Sequence, residues 1–191
     1  QLAASTAQDK LIVSDLVFSM DGDIALVDAL LDLAERFDAW LYLDDAHGFG
    51  VLNGGRGGLT DRARASDRVI YLATLGKAAG VSGAAVAAHA SVIDWLIQKA
   101  RPYIYTTASP PLLAACLLES LRQIEAGEAR RARLSSHIAQ LREGLAGLRL
   151  GALMPSDTPI QPLLIGANAD AVRLSQALLA RGLLVPAIRT P

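Results

Sequence analysis

The sequence predicts an α/β fold: a mixed, mostly parallel sheet with helices on both faces, followed by a small C-terminal α/β domain. Three observations lead there. Strand-length and helix-periodic apolar runs alternate from the N-terminus. The second strand run is apolar throughout, as expected of a strand covered on both faces. After a long helical stretch, a strand, helix and strand pattern returns.

In order, "KLIVSDLVFS" reads as a β-rich run ending at Ser19, and "DIALVDALLDLAERF" places Ile24, Val27, Leu30, Leu31, Ala34 and Phe37 at helical spacing. "AWLYLDD" is the second strand, which completes a βαβ unit. A glycine-rich loop, "LNGGRGGLT", leads on to "RVIYLAT", the third strand. "AAVAAH" is a fourth, and its short linker predicts that it runs antiparallel to the third, because a parallel crossover needs a dozen or more residues. "SVIDWLIQKA" reads as a helix with Ser91 as N-cap, and "RPYIYTTASPP" as a loop. From Leu112 to Leu148 the pattern is helical, and Gly127, Gly144 and Gly147 divide it into two helices. "IQPLLIG", "ADAVRLSQALLARG" and "LLVPAI" close the chain as strand, helix and strand, with Asn168 as cap and Gly182 as stop.

Composition excludes several classes of function. The 191 residues are 52% apolar and 19% charged, enough to bury a core. A formal charge of -1, with both signs interspersed, implies neither a nucleic acid nor a membrane partner. The single cysteine, Cys116, lies in "LLAACLL" and reads as a buried, inert thiol, which suits a reducing cytoplasm. The sequence shows neither a membrane-length apolar run nor a signal-peptide pattern. "QLAAST" lacks an initiator Met and "VPAIRTP" stops directly after an apparent strand, so the chain is expected to be part of a longer protein.

The polar residues converge on one place. Ser19 closes the first strand, Asp44, Asp45 and His47 the second, and Thr74 with Lys77 the third. In an open α/β sheet the strand carboxyl ends form the crevice where ligands bind. Singly, each residue has an ordinary structural explanation as a turn, cap or solvated charge. Together they bring a hydroxyl, carboxylates, an imidazole and an amine to one rim.

Two rival chemistries fail on spacing. A phosphate-cradling G-x-x-x-x-G-K-[ST] loop needs a glycine where Tyr71 stands and a hydroxyl where Ala78 stands. "DDAH" could ligate a divalent cation, but no second His or carboxylate cluster accompanies it, so no metal is expected. Pyridoxal phosphate fits better. It requires an amine for a Schiff base, a carboxylate to keep its ring nitrogen protonated, and donors around its phenolic oxygen and phosphate. Lys77, Asp44, His47 and Thr74 are such groups. Ala46, Gly76, Ala78 and Gly83 would let a flat ring approach the backbone.

"VFSMDGDIA", "DDAHGFGVLNGGRG", "TLGKAAGVSGAAV", "IYTTASPP" and "VPAIRTP" occur in the order and spacing of the α-oxoamine synthases, pyridoxal-phosphate enzymes of fold type I, and the chain resembles that family from end to end. The resemblance implies a role for each matching residue. Lys77 would be the Schiff-base lysine, Asp44 the partner of the pyridine nitrogen and His47 the donor to the phenolic oxygen. Ala46 would pack under the ring, Ser19 and Thr74 would contact the cofactor, and Thr107 would reach the phosphate of the opposite subunit in a homodimer. Arg189 receives no role. Residues 1–110 would be the C-terminal half of the large cofactor domain, 111–148 connecting helices and 149–191 part of the small domain. The family's phosphate loop, ring-stacking histidine and carboxylate-binding arginine would lie outside this sequence.

The implied reaction is a decarboxylative condensation of an amino acid with an acyl thioester. "GVSGAAV", "IQPLLIG" and "VPAIR" most resemble the biotin-pathway branch, which joins L-alanine to a pimeloyl thioester. Glycine with acetyl-CoA or succinyl-CoA, serine with a long acyl chain, or a cofactor-free interaction module are the alternatives.

Overall fold

Residues 1–148 and 152–189 are described by the computed structural model, and they form two compact units. One comprises Gln1–Ser19 with Asp23–Arg133, the other Met20–Gly22 with the chain from Leu134 onward. The expected boundary at 149 lies outside the described residues, as do Thr190 and Pro191 at the end of "VPAIRTP".

The first unit carries a four-stranded sheet in the order β1 (Leu11–Asp15), β2 (Trp40–Asp44), β3 (Val69–Thr74), β4 (Ala84–Ala87). The first three strands are parallel and β4 is antiparallel to β3, the mixed sheet that the linker length predicts. Side chains alternate along each strand. Ile12, Leu41, Leu43, Val69 and Tyr71 turn to one face, where α1 (Val27–Arg36) presents Val27, Leu31 and Ala34, three residues on one helical stripe. Next, α2 (Asp61–Arg64) adds Ala63, and Leu16 and Leu59 complete the core. Thr60 caps α2 by accepting from the Ala63 N–H at 3.2 Å, and its hydroxyl donates to Asp28 of α1 at 2.6 Å.

The opposite sheet face is open. Leu11, Val13, Trp40 and Val86 are exposed there. The face forms a groove of about 830 Å³, walled on one side by Val92, Trp95 and Leu96 of α3 (Ala90–Lys99). The chain continues through α4 (Arg101–Ile104), α5 (Pro111–Glu125) and α6 (Glu128–Ala146). The helical stretch thus breaks at Gly127, where a Cβ would stand 2.9 Å from the Gln123 carbonyl oxygen.

Several details differ from expectation, among them α4, a short helix where a loop is expected. β1 ends at Asp15, not Ser19, because the chain doubles back: Val17 pairs with Ile24, and the Phe18 N–H donates to the Asp23 carbonyl at 3.0 Å. The apolar run was legible, but its last residues bond to the returning chain. α3 is capped by His89, whose Nδ1 accepts from the Ser91 N–H at 3.3 Å, because β4 stops at Ala87 and frees His89 for the turn. Cys116 is exposed, since Leu113, Leu117, Leu121 and Ile124 form the inward stripe of α5.

In the second unit, β5 (Ala152–Leu153) and β6 (Leu163–Leu164) pair antiparallel, and α7 (Asn168–Leu179) follows. Asn168 is the first helical residue, with Ala167 in the cap position. Gly182, at φ +81°, ends this segment in a left-handed turn in which the Leu183 N–H reaches the Leu178 carbonyl at 3.0 Å. Leu184–Ile188 forms no strand: Pro186 has no N–H to give, and the Val185 carbonyl accepts from Ser175 Oγ at 2.6 Å instead. Buried Ser156 and Thr158 both donate to the Gly22 carbonyl, at 2.8 and 3.0 Å.

Leu43 lies fully buried on the second of four strands. Leu43→Ala in the full-length protein should therefore lower unfolding free energy by about 2–5 kcal/mol. Equilibrium urea denaturation checks this, and a loss below about 1 kcal/mol would contradict the placement of the core.

Candidate active site

Parallel pairing without stagger brings the strand ends level. Asp15 pairs with Asp44, Asp44 with Leu72, and Leu72 with Val86. Beyond Asp44 the chain turns tightly, with the Asp44 carboxylate accepting from the Ala46 N–H at 2.9 Å. This turn delivers His47, whose Nε2 lies 2.7 Å from Lys77 Nζ. The segment of greatest chemical interest is therefore a direct amine and imidazole pair beside two carboxylates.

Lys77 sits in the loop of the β3–β4 hairpin. The Leu75 N–H donates to Gly83, Gly80 to Lys77 and Val81 to Leu75, each at 2.9 Å. Buried Leu75 and Ala79 anchor the loop, and Ser120 on α5 donates to the Ala79 carbonyl at 2.6 Å. A rigid base thus carries an exposed lysine. A Cβ built on Gly76, Gly80 or Gly83 would meet nothing within 4 Å. The small residues leave open space along this loop, enough for a flat ring to approach. The donor set and this clearing both fit pyridoxal phosphate.

His47 has its pKa lowered from the usual 6.5, chiefly by burial and then by the Lys77 charge, against the pull of Asp15 and Asp44. It is neutral at physiological pH and can accept a hydrogen bond from the Lys77 amine. Tyr42, on the open face, has its phenol raised by burial and then by Asp44 and Asp15. Asp15 and Asp44 thus act on both the Tyr42 phenol and the His47 imidazole, and Lys77 opposes them at His47.

The expected residues do not all meet. Asp44, Ala46 and Thr74 share the rim with the His47–Lys77 pair, at the ends of β2 and β3. Ser19 stands exposed in the turn after Val17, and Thr107 is exposed in the loop after α4; among the described residues, neither hydrogen-bonds to that group. Asp45 points to the core side, as strand alternation predicts, and is fully buried. Asp15 was missed. Its signal was its place near the end of the first apolar run, obscured by reading the strand through to Ser19.

Residues 1–191 match the aminotransferase class I and II family. The chain belongs to that family. It is 78% identical over its whole length to 8-amino-7-oxononanoate synthase of Thiobacillus denitrificans, of which it covers 50%. It is 61% identical to the synthase of the same name from Aromatoleum aromaticum, covering 49% of it. The chain therefore spans about half the length of the curated relatives it matches. Among solved structures, all of it superposes on 56% of the 8-amino-7-oxononanoate synthase of Francisella tularensis, with TM-score 0.82 and 32% identity. It also superposes on 48% of a Sphingomonas wittichii serine palmitoyltransferase, with TM-score 0.87 and 29% identity. These likenesses bear out the fold type I architecture, the mixed sheet and the partial extent of the chain.

A histidine C–H NMR titration should place the His47 midpoint below 6.5. Lys77→Met should raise it only part of the way back, because burial is the larger cause. A midpoint at or above 6.5 in the unmodified protein would contradict this arrangement.

Proposed function

We propose that the full-length protein is a pyridoxal-phosphate-dependent acyltransferase of biotin biosynthesis. It joins L-alanine to a pimeloyl thioester, carried by CoA or acyl carrier protein, and forms 8-amino-7-oxononanoate, carbon dioxide and the free thiol. The observation that carries this is the Lys77 amine, 2.7 Å from the His47 imidazole on a strand-end rim that also holds Asp44. The 78% identity to a synthase of that name supports this choice of substrates. Backbone likeness alone does not choose, since the serine palmitoyltransferase superposes at least as well as the Francisella synthase.

When bound, pyridoxal phosphate supplies an electron-accepting ring that stabilises negative charge at the amino acid's α-carbon. Each residue of this chain has a task around it. Asp44 would keep the proton on the ring nitrogen, and His47 would donate to the phenolic oxygen. Ala46 would lie beneath the ring, while Thr74, Ser19 and, from the partner subunit of a homodimer, Thr107 would supply further polar contacts. Lys77 Nζ would bind the cofactor covalently and then, once released, take the proton from the α-carbon of alanine. His47 Nε2, 2.7 Å away, holds that amine at the rim.

Among the described residues no helix is long and apolar enough to cross a membrane, and we place the enzyme in the cytoplasm. Incubating the full-length enzyme with L-alanine and a pimeloyl thioester should yield 8-amino-7-oxononanoate by mass spectrometry. A product formed only from glycine or serine would overturn the substrate assignment. Lys77→Ala should lower turnover by about 10²–10⁴-fold. Asp44→Asn should keep the cofactor yet lose most turnover, because an amide cannot hold the ring nitrogen protonated; wild-type turnover would remove Asp44 from that role.

A further inference from the structure

Asp45 has no part in the chemistry above, yet it is the most constrained carboxylate on the rim. It is fully buried, at 0% exposure, between Asp44 and Ala46. Its Oδ2 accepts from the Gly58 N–H at 2.9 Å and from the Tyr71 hydroxyl at 2.7 Å. Its Oδ1 lies beside the Gly48 backbone and has no hydrogen-bond partner of good geometry among the described residues.

The surroundings are shaped to this carboxylate. A Cβ on Gly48 would stand 2.2 Å from Oδ1, and one on Gly57 would stand 2.0 Å from Oδ2. Gly57, at φ +90°, also adopts a backbone that side chains disfavour. The glycines of "HGFGVLNGGRGG" thus include two that give way to one side chain. Burying a carboxylate with one oxygen poorly bonded costs stability. Burial accordingly raises the Asp45 pKa, against the Tyr71, Gly58 and Gly48 hydrogen bonds. Such a group is a poor choice for stability alone.

The Asp45 bonds tie three segments to one point. Its side chain joins the end of β2 to β3 through Tyr71 and to the glycine loop through Gly58. Its main chain accepts from the Phe49 N–H at 3.0 Å and donates to the Leu72 carbonyl at 2.8 Å. Asp44 and His47 lie within two residues of that point. The geometry points to Asp45 as a positioning residue: the Tyr71–Asp45–Gly58 clamp fixes the Asp44–His47 turn, and with it the orientation of the two side chains that face pyridoxal phosphate. This rests on the cofactor reading above.

The test uses full-length holoenzyme, with pyridoxal 5'-phosphate titrated by visible absorbance and the bound ring followed by visible circular dichroism. Tyr71→Phe removes one clamp bond and little volume. It should weaken cofactor binding by about tenfold and reduce the dichroism per bound cofactor. Asp45→Ala, which removes both clamp bonds, should do more. If Asp45→Ala fails to fold, Tyr71→Phe decides. Wild-type affinity and dichroism in Tyr71→Phe would overturn the clamp. So would variants whose thermal midpoint falls while the dichroism per bound cofactor stays native, since that marks a structural role only. Failure of the unmodified protein to bind the cofactor would instead sink the functional reading, so the two failures are distinguishable.

Discussion

The register of three parallel strands is the constraint on which the rest depends. Because Asp15, Asp44 and Leu72 pair level with one another, the chain leaves β1, β2 and β3 at a common height. A slip of one residue in β2 would send Asp44 to the core side and Asp45 to the open face. The register is held by Leu41 and Leu43, both fully buried against the stripe of α1, so core packing and the geometry of the candidate site have a single cause.

From that level edge two short excursions carry the candidate residues. One is the Asp44–His47 turn, closed by a carboxylate on its own backbone and tied down behind by Asp45. The other is the β3–β4 hairpin loop, held from beneath by buried Leu75 and Ala79 and by Ser120 of α5. The two meet where Lys77 Nζ touches His47 Nε2. Around that contact the glycines divide into two kinds. Gly48 and Gly57 make room for a side chain of the protein itself, whereas Gly76, Gly80 and Gly83 border open space.

Much of this was legible in the sequence. Local patterning carried the βαβ unit, the antiparallel fourth strand, the break at Gly127 and the stop at Gly182. The strand-end positions of Asp44, His47, Thr74 and Lys77 followed from those elements. What was missed required knowing which partner a segment finds. The β-rich run through Ser19 bends back onto residues 23–25, so Asp15 and not Ser19 ends the strand. Leu184–Ile188 has a strand's composition but pairs with no neighbour among the described residues. Cys116 is exposed because α5 is apolar on more sides than its own unit covers. The Asp45 cradle was hidden for the same reason, since Gly58 and Tyr71 lie 13 and 26 residues away in sequence.

The central claim is that this strand-end rim, with Lys77 as its nucleophile, is the cofactor site. Lys10 donates to the Phe37 carbonyl at the other end of the sheet, and Lys99 lies in the last turn of α3, so neither can substitute for Lys77 at the rim. Borohydride reduction of the full-length holoenzyme followed by peptide mapping tests this most directly. The account predicts pyridoxyl label on Lys77 alone among these three lysines. Label on Lys10 or Lys99 with Lys77 unmodified would contradict it.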